Sequence, residues 1–359
     1  MPERLLIIGN YGNLNIGDET ILKGLISEIS YNNDDIEVYI PTRNCGFEKL
    51  YHNEFTDNIK IISFFVYDFK DFFRYLIKSS KVIIGGGGIW SGYTGFLAKF
   101  IPIFSIFTRI CGKNVSFKGV GIYNTASIVD IQLVNLAILL SDKSTVRDYE
   151  SYNILWKNVR RKTVIQEDFA IKYLRHIDNM KCNYYSFIED SKLYNKIREI
   201  RNNFKYIIGV SIKPTKYQQS NIKLITGMTN VINTVNKIFG DDVFWLFFPF
   251  SKSRIMSEND VYLTNQVLKN VNKNDNSLIL DHENPIIWYF IIKDFVDLFI
   301  GMRYHSLIFS WVAEKPFFGI SYENKNVNFL KQINHLFWCN LERFEYKNIV
   351  NFILNQIYQ

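Results

Sequence analysis

Hydrophobic and polar positions follow two different spacings along the chain. Short apolar runs of strand length are followed by segments in which apolar residues recur at helical intervals. The first run covers residues 4–9 and precedes a predicted helix from about Asp18, in which Ile21, Leu22 and Leu25 share one face. Strands that alternate with helices predict a mostly parallel sheet covered by helices on both faces, which is the α/β class.

The alternation occurs in both halves of the chain. Further strands are predicted over 37–42, 60–65, 81–88, 114–122 and 143–148, and then over 206–214, 242–250, 276–281, 295–303 and 316–322. Helices are predicted near Glu150, over 221–239, from Asn284-Pro285 and from His305. Residues 175–205 between the two series are polar and lack strong strand signals. We therefore predict an N-terminal Rossmann-like domain (1–180), a boundary region (181–205) and a C-terminal Rossmann-like domain (206–359).

The unusual glycine and polar clusters fall at predicted strand ends. Ligands of open parallel sheets bind outside the carboxyl ends of the strands. Two doubly wound domains in series would direct these ends toward a shared cleft, and we expect that cleft to be the functional site.

The loop after the first strand reads GNYGNLNIGD and has the character of an anion site. Gly12 and Gly17 have the spacing of a P-loop, but Asp18-Glu19 stands where a lysine and a hydroxyl would bind nucleotide and magnesium. A Gly-x-Gly-x-x-Gly fingerprint does not fit the glycines either. Stabilisation of the helix N-terminus suffices to explain Glu19. For Asn15 and Asp18, shaping of the loop and contact with substrate are both open.

Four consecutive glycines, Gly85–Gly88, stand at the end of the predicted strand at 81–88, after its buried apolar residues. Such a run has a high conformational entropy in the unfolded chain, so the fold must need bare backbone there. A tight crossover from strand to helix and a close approach of substrate both meet that need.

Two cations in the predicted cleft are ambiguous when taken alone. Arg147 follows a predicted strand and reads as a surface arginine paired with Asp148 or Glu150. Lys213 ends the first strand of the second half, where it would point either into the cleft or into solvent.

The most informative cluster reads IGMRYHSLIFSWVAEKPFFGISYENK. Arg303 and His305 lie at the end of an apolar strand, immediately before a predicted helix. An imidazole near a helix N-terminus is disfavoured as a cation unless an anion binds beside it. A structural role is the usual alternative for one histidine, but Arg303 two residues away favours a pair that binds an anion. Lys325 would add charge from the next loop.

Composition narrows the classes of function. The chain has 359 residues, is 47% hydrophobic and 21% charged, and carries a net charge of +7, which suits an anionic substrate or an acidic membrane surface. No basic run is interleaved with aromatics, so we expect no nucleic-acid partner. Four cysteines lie apart in sequence (Cys45, Cys111, Cys182 and Cys339), which indicates reduced thiols in a cytoplasmic protein and no zinc ribbon. We expect no signal peptide and no metal site.

One apolar segment, residues 96–110, raises the question of membrane contact. It is too short to span a bilayer and contains Lys99, Pro102 and Arg109. We predict a buried helix here, and a helix in peripheral contact with a membrane is the alternative.

Several ordered blocks resemble the polysaccharide pyruvyl transferases: GNYGNLNIGDETIL, VIIGGGG, FKGVGI, TVRDYES and, above all, IGMRYHSLIFSWVAEKPFFGISYENK. They cover nearly the whole chain in the family's order. The resemblance implies a GT-B-like fold of two Rossmann-like domains facing a central cleft. It also implies transfer of pyruvate from phosphoenolpyruvate to two hydroxyls of a sugar, with formation of a cyclic ketal and release of phosphate. The implied partners are phosphoenolpyruvate as co-substrate and a sugar or lipid-linked oligosaccharide acceptor, with no cofactor.

The resemblance also implies roles for individual residues. Arg303, His305 and Lys325 are expected to bind phosphoenolpyruvate, and Arg147 and Lys213 match further basic positions. His305 is the candidate proton donor and Asp18 the candidate base. The remaining loop residues are candidates for the acceptor side: Asn15, Gly17, Gly86, Gly87 and Gly88.

Two departures from the family keep other functions open. Members often carry an acid shortly after the glycine run, where this chain has Ile89-Trp90-Ser91-Gly92-Tyr93. They often have an arginine where this chain has Lys213, which lacks the planar fork of a guanidinium. The alternatives are a GT-B glycosyltransferase that uses a nucleotide sugar and a non-catalytic glycan-binding homologue. A homo-oligomer is also an open alternative.

Overall fold

The computed structural model describes residues 2–30, 35–44, 58–92, 95–253, 256–272, 275–281 and 284–358, and it confirms the α/β class. The chain divides into two compact units. The first consists of Met1–Asn13 and Asp18–Tyr173, and the second of Leu14–Gly17 and Leu174–Gln359. Four residues of the first signature loop therefore belong to the second unit.

The first unit is built on a seven-stranded parallel sheet in the order β3-β2-β1-β4-β5-β6-β7. Its strands are β1 (Glu3–Ile8), β2 (Ile36–Thr42), β3 (Ile59–Phe65), β4 (Lys81–Trp90), β5 (Asn114–Ile122), β6 (Lys143–Val146) and β7 (Thr163–Ile165). The helices up to the division are α1 (Ile16–Ser30), α2 (Phe69–Lys78), α3 (Phe96–Ile110), α4 (Ile128–Leu140), α5 (Tyr149–Ile154), α6 (Lys157–Arg160) and α7 (Phe169–Asn179).

The second unit is built on a six-stranded parallel sheet in the order β10-β9-β8-β11-β12-β13. Its strands are β8 (Tyr206–Ser211), β9 (Val243–Phe247), β10 (Ser277–Ile279), β11 (Leu298–Gly301), β12 (Phe317–Ser321) and β13 (Trp338–Asn340). Its helices are α8 (Lys181–Glu189), α9 (Lys192–Asn203), α10 (Gln218–Phe239), α11 (Asp260–Asn270), α12 (Pro285–Phe295), α13 (Tyr304–Val312), α14 (Asn324–Gln332) and α15 (Tyr346–Ile357).

Both sheets have the doubly wound topology of a Rossmann-like domain. In each sheet the strand order reverses beside the first strand, between β1 and β4 and between β8 and β11. Alternate residues of β1 enter different cores: Leu5 and Ile7 pack on one face of the sheet, and Leu6 and Ile8 on the other. Burial on both faces explains why these strands read as continuous apolar runs rather than as alternating ones.

Three segments differ from their sequence-based predictions. The run Gly85–Gly88 is not a crossover from strand to helix, because β4 includes it, as the predicted strand at 81–88 does, and continues to Trp90. Residues 143–148 do not close the first sheet, since β7 pairs with β6 beyond them. The boundary segment 181–205 forms α8 and α9, and its residues belong to the second unit.

The helix at 96–110 is present as α3, but the prediction that it is buried is wrong for one of its faces. Pro102, Ser105 and Thr108 face the core, while Phe96 and Ile110 are 74% and 75% exposed. No helix in the described residues has the length and apolar character needed to cross a membrane.

Candidate functional site

In the second unit, two of the predicted cations lie where the strand order reverses. Lys213 follows β8 by two residues and Arg303 follows β11 by two, and these strands are hydrogen-bonded neighbours. Ligands of doubly wound sheets bind in the crevice that forms outside such a reversal. The topology therefore brings together two residues that are far apart in sequence.

Arg303 is held by Asp260, the first residue of α11. Its Nε lies 3.1 and 3.0 Å from the two carboxylate oxygens, and its Nη2 lies 2.6 Å from Oδ1. Nη2 also donates to the carbonyl oxygen of Glu258 at 2.9 Å. Burial alone would lower the pKa of Arg303, but the Asp260 carboxylate outweighs it and raises that pKa. The guanidinium therefore stays charged in one orientation.

Lys213 is buried, with 7% of the residue exposed, and its Nζ lies 4.4 Å from the centre of the Tyr322 ring. Burial and the nearby Arg303 charge lower the pKa of Lys213 to about 7, against the opposing effect of Glu323. Its charge therefore changes near neutral pH and responds to an anion placed beside it.

Lys325, in the first turn of α14, pairs with the residue before that helix. Its Nζ lies 2.7 Å from Oε2 of Glu323. Burial would raise the pKa of Glu323, but Lys325 and Lys213 outweigh it and lower that pKa. The site thus contains three cations, Lys213, Arg303 and Lys325, and two carboxylates.

His305, in the first turn of α13, is packed against the segment Leu14–Gly17. A methyl group built on Gly17 would come within 1.9 Å of the imidazole Nδ1, so the backbone of Gly17 lies directly against the ring. The backbone N–H of Gly17 donates to Oδ1 of Asn15 at 3.1 Å. Asn15 and Gly17 therefore shape the surroundings of His305, and a larger side chain at position 17 would have to displace the imidazole.

The loop after β9 holds this segment in place. Ile16 N–H donates to the Phe250 carbonyl oxygen at 2.9 Å, and Lys252 N–H donates to the Leu14 carbonyl oxygen at 3.1 Å. Ser251 N–H donates to Oδ2 of Asp260 at 3.0 Å. Asp260 therefore positions Arg303 and also the loop after β9, to which Leu14–Gly17 is hydrogen-bonded.

The remaining predicted residues belong to the first unit. Asp18 accepts a hydrogen bond from Nδ2 of Asn10 at 2.7 Å, and its Oδ1 would lie 3.6 Å from a methyl group built on Gly87. The neighbouring Glu19 is buried and accepts from the Gly12 N–H at 2.7 Å, which shapes the loop. The Asp18 carboxylate therefore lies beside the glycine run of β4.

Arg147 is buried, so the interpretation as a surface arginine is wrong. Its side chain is 2% exposed, and its nearest carboxylates are Asp168 at 3.3 Å and Asp148 at 3.6 Å. Its Nε donates to the Tyr123 hydroxyl at 2.9 Å, and that hydroxyl donates to Asp148 at 3.2 Å. These contacts give Arg147 a structural role in the first unit, and its contact with phosphoenolpyruvate stays a prediction from the resemblance.

Packing accounts for much of the glycine run. A methyl group on Gly86 would come within 2.0 Å of Ile21 Cγ2, and one on Gly88 within 2.9 Å of Arg147 Nη2. Gly86 and Gly87 also have positive φ angles of 46° and 91°. In the position where family members often carry an acid, Trp90 is buried, and Tyr93 lies outside the described residues.

The sequence did not reveal Asp260 as the partner of Arg303 or Asp168 as a partner of Arg147. Asp260 reads as an ordinary acid in the first turn of a helix, and Asp168 follows β7, a strand too short to be recognised. Glu323 was detectable, because it stands two residues before Lys325 in the same block. Within the described ranges, no group of three or more His, Cys, Asp or Glu side chains is arranged to hold a metal ion.

The two parallel doubly wound sheets define a two-domain α/β protein of the GT-B-like class. A putative UDP-N-acetylglucosamine 2-epimerase from Listeria monocytogenes is similar in structure (TM-score 0.63, 8% identity, 100% of this chain and 89% of that chain covered). The UDP-GlcNAc 2-epimerase of Methanocaldococcus jannaschii is also similar (TM-score 0.60, 9% identity, 99% of this chain and 92% of that chain covered). A trehalose 6-phosphate synthase from Burkholderia multivorans is similar as well (TM-score 0.55, 8% identity, 99% of this chain and 89% of that chain covered). At these identities the likeness shows the fold alone, and it confirms the fold predicted from the sequence.

The family follows from a separate comparison. The family model described as polysaccharide pyruvyl transferase matches residues 15–324. The chain belongs to the polysaccharide pyruvyl transferase family, which supports an enzyme that transfers pyruvyl groups to polysaccharide. No curated protein matches the chain.

Proposed function

We propose that this protein transfers the pyruvyl group of phosphoenolpyruvate to two hydroxyls of one sugar in a cell-surface polysaccharide or its lipid-linked precursor. The product is a cyclic pyruvate ketal, and phosphate is released. The observation that supports the proposal most directly is a set of cations in the second unit: Lys213 and Arg303 lie at the reversal of strand order, and Lys325 of α14 is close enough to affect Lys213. We place the reaction in the cytoplasm and propose no resident cofactor.

The donor matches this set in charge. Phosphoenolpyruvate is a small molecule with a carboxylate and a phosphate, which guanidinium and ammonium groups bind by charge-assisted hydrogen bonds. The N-terminus of α13, which begins at Tyr304 directly after Arg303, adds backbone N–H groups that favour an anion. A nucleotide sugar would need additional room for a base and a ribose.

The two carboxylates of the cluster have a separate effect. Asp260 and Glu323 already pair with Arg303 and Lys325, so they hold the cations in fixed positions before the donor arrives. Preorganised charges need no rearrangement during the reaction. The carboxylates also reduce the net positive charge, which weakens the hold on the phosphate product.

The reaction balances with these groups. One proton is added to the methylene carbon of phosphoenolpyruvate while a sugar hydroxyl attacks the adjacent carbon. The second hydroxyl then attacks that carbon as the bond to phosphate breaks. The two sugar hydroxyls release two protons. One returns to the proton donor and replaces the proton that was added to the methylene carbon, and the other leaves with phosphate. We propose His305 as the proton donor, because an imidazole can hold a proton and transfer it to a reacting atom.

We propose Asp18 as the base that accepts a hydroxyl proton, and the first unit as the side that provides acceptor residues. Its carboxylate is partly exposed and is oriented by Asn10. A carboxylate held in this way by an amide can accept a proton transiently from an attacking hydroxyl.

Calorimetry with phosphoenolpyruvate, a UDP-sugar and a GDP-sugar tests the donor. We expect the wild type to bind phosphoenolpyruvate, and Arg303→Ala and Lys325→Ala to lose most of that binding. Arg201→Ala is the matched control, because it removes another arginine–aspartate pair of the second unit, with Asp297. Binding of only a nucleotide sugar would move the protein to the glycosyltransferases. Binding of glycan without any donor would support a non-catalytic homologue.

A further inference from the structure

The helices α2 and α3 of the first unit expose several of their large apolar side chains. On α3 the exposed residues recur at intervals of four and three and so form one stripe, and each is at least 50% exposed: Phe96, Phe100, Ile103, Phe107 and Ile110. Most surface helices turn such a stripe toward the core. Here the stripe faces outward.

The core does not require this stripe. The side of α3 that faces the sheet carries Pro102, Ser105 and Thr108, and Ile101, Phe104 and Ile106 beside them pack against the core. That side is therefore packed without any residue of the stripe. The exposed aromatic residues therefore need a different explanation.

The outer side of α2 continues the pattern and adds charge. Its exposed apolar residues, Phe69, Phe73 and Ile77, recur every four residues. Each is followed immediately by a basic residue: Lys70, Arg74 and Lys78. An apolar stripe with a parallel row of cations is typical of a helix that lies in the interface of a membrane.

The two helices form one surface. Phe72 of α2 and Phe104 of α3 pack edge to face with their ring centres 5.0 Å apart, and both helices cover the same face of the first sheet. Nζ of Lys113 donates to the carbonyl oxygens of Ile77 and Ser79 and so fastens the end of α2. We call the eight exposed apolar residues and the three cations that follow those of α2 the α2–α3 surface.

This part of the chain carries more basic than acidic residues, although Arg74 pairs with Asp71 and Arg109 with Asp142. Between residues 68 and 110 there are six basic and two acidic residues: Lys70, Arg74, Lys78, Lys81, Lys99 and Arg109 against Asp68 and Asp71. Basic residues close to an anionic leaflet each favour binding by about 1 kcal/mol. Charge and exposed apolar area therefore favour the same kind of partner.

We propose that the α2–α3 surface docks the enzyme on an anionic lipid bilayer, with the aromatic and aliphatic side chains in the headgroup region and the cations at the lipid phosphates. This goes beyond the proposed reaction and does not depend on it. A second copy of the chain fits less well, because a two-fold interface would place this cationic patch against itself. A bilayer supplies both the apolar layer and the opposite charge.

Flotation of the full-length protein with vesicles tests the proposal. We expect binding to vesicles of phosphatidylcholine and phosphatidylglycerol, and much weaker binding to phosphatidylcholine alone. The triple variant Phe73→Ser, Phe100→Ser, Phe107→Ser should bind the mixed vesicles about 100-fold more weakly. The pair Lys70→Gln, Lys78→Gln should bind roughly 10- to 30-fold more weakly, and the difference should shrink at high salt.

Matched controls lie on exposed positions of the second unit. Tyr185→Ser, Tyr217→Ser, Leu336→Ser removes three exposed apolar side chains, and Lys192→Gln, Lys347→Gln removes two exposed lysines. Both should bind like the wild type. Equal binding of the α2–α3 variants and their controls would overturn the proposal. The proposal would also be overturned if the wild type were a dimer that does not bind vesicles and the triple phenylalanine variant were a monomer.

A native thiol gives a second readout that does not depend on substitutions in the surface. Cys111 follows α3 directly and is exposed, while Cys182 is exposed on the second unit. Single-cysteine proteins keeping one or the other can be labelled with an environment-sensitive fluorophore. Mixed vesicles should shift the emission of the Cys111 label to the blue and leave the Cys182 label unchanged. The opposite pattern, or no shift at either label, would contradict docking through α3.

Discussion

The backbone of Gly17 lies against the imidazole of His305, with an ideal methyl carbon on Gly17 placed 1.9 Å from Nδ1 and 2.2 Å from Cγ. The two residues come from opposite ends of the family's motif series. The contact exists because Leu14–Gly17 belongs to the second unit, where it is bonded to the loop after β9. The first signature loop thus builds part of the site that contains the basic residues.

Gly17→Ala should displace the imidazole of His305. We expect turnover to fall roughly 100-fold, because a misplacement of about 1 Å has effects of this size on catalytic groups. Thermal unfolding should show a loss of about 1–3 kcal/mol, the usual range for an added methyl group in a packed site. Gly95→Ala is the control, since a methyl group there meets no atom within 4 Å and φ is −69°. Similar turnover in the two variants would contradict the role of the contact.

Asp260→Asn should show how strongly the cluster depends on its buried ion pair. The Asp260 side chain is fully buried, so the substitution leaves the Arg303 charge without its partner, at a cost of about 3–5 kcal/mol in unfolding free energy. The exposed pair of Lys252 and Asp281 provides the control: Asp281→Asn should cost at most about 1 kcal/mol. Urea unfolding measures both. A loss for Asp260→Asn no larger than for its control would contradict the assignment of Asp260 as the residue that positions Arg303.

Lys213 should take up a proton when the donor binds. Since its pKa is lowered to about 7, it is mostly neutral at pH 8 in the free protein, and a bound anion favours the charged form. Phosphoenolpyruvate affinity should therefore fall by up to about tenfold per pH unit above pH 7. Arg303, Lys325, Asp260 and Glu323 are the other charged groups that affect Lys213.

Calorimetry in two buffers of different ionisation enthalpy detects this proton. At pH 8 we expect uptake of nearly one proton by the wild type and none by Lys213→Arg, because a guanidinium stays charged throughout this range. The arginine variant should also lose the fall in affinity above pH 7. Equal proton uptake by both proteins would show that another group titrates.

Gly86→Ala should destabilise the first unit more than an alanine substitution does at a glycine that has a positive φ but no close neighbours. The added methyl group would lie 2.0 Å from Ile21 Cγ2 and would be forced into a backbone conformation with φ of 46°. Gly112→Ala, with φ of 81° and no neighbour within 4 Å, isolates the backbone contribution of about 1 kcal/mol. We expect the Gly86 variant to lose about 1–3 kcal/mol more, measured by urea unfolding. Equal losses of unfolding free energy in the two variants would mean that α1, which contains Ile21, accommodates the methyl group without strain.

The sequence by itself determined many of the strands and helices, and it determined the family. Strand and helix periods are local properties, so the runs at β1, β5, β8 and β12 could be read directly from the chain. The blocks around Gly17 and Arg303 identified the family that the comparison confirms. Their functional roles stay predictions, because a motif names a residue without naming its neighbours.

Only the tertiary structure decided which charges meet. Asp260 and Arg303 are 43 residues apart, and Arg147 and Asp168 are 21 apart. Each pair is formed by strand order and helix packing, which no local pattern encodes. The outward stripe of α3 has the same origin, because a segment with apolar residues on most sides does not reveal which side faces the core. The sequence thus specifies the chemistry that is present, and the topology specifies which groups act on one another.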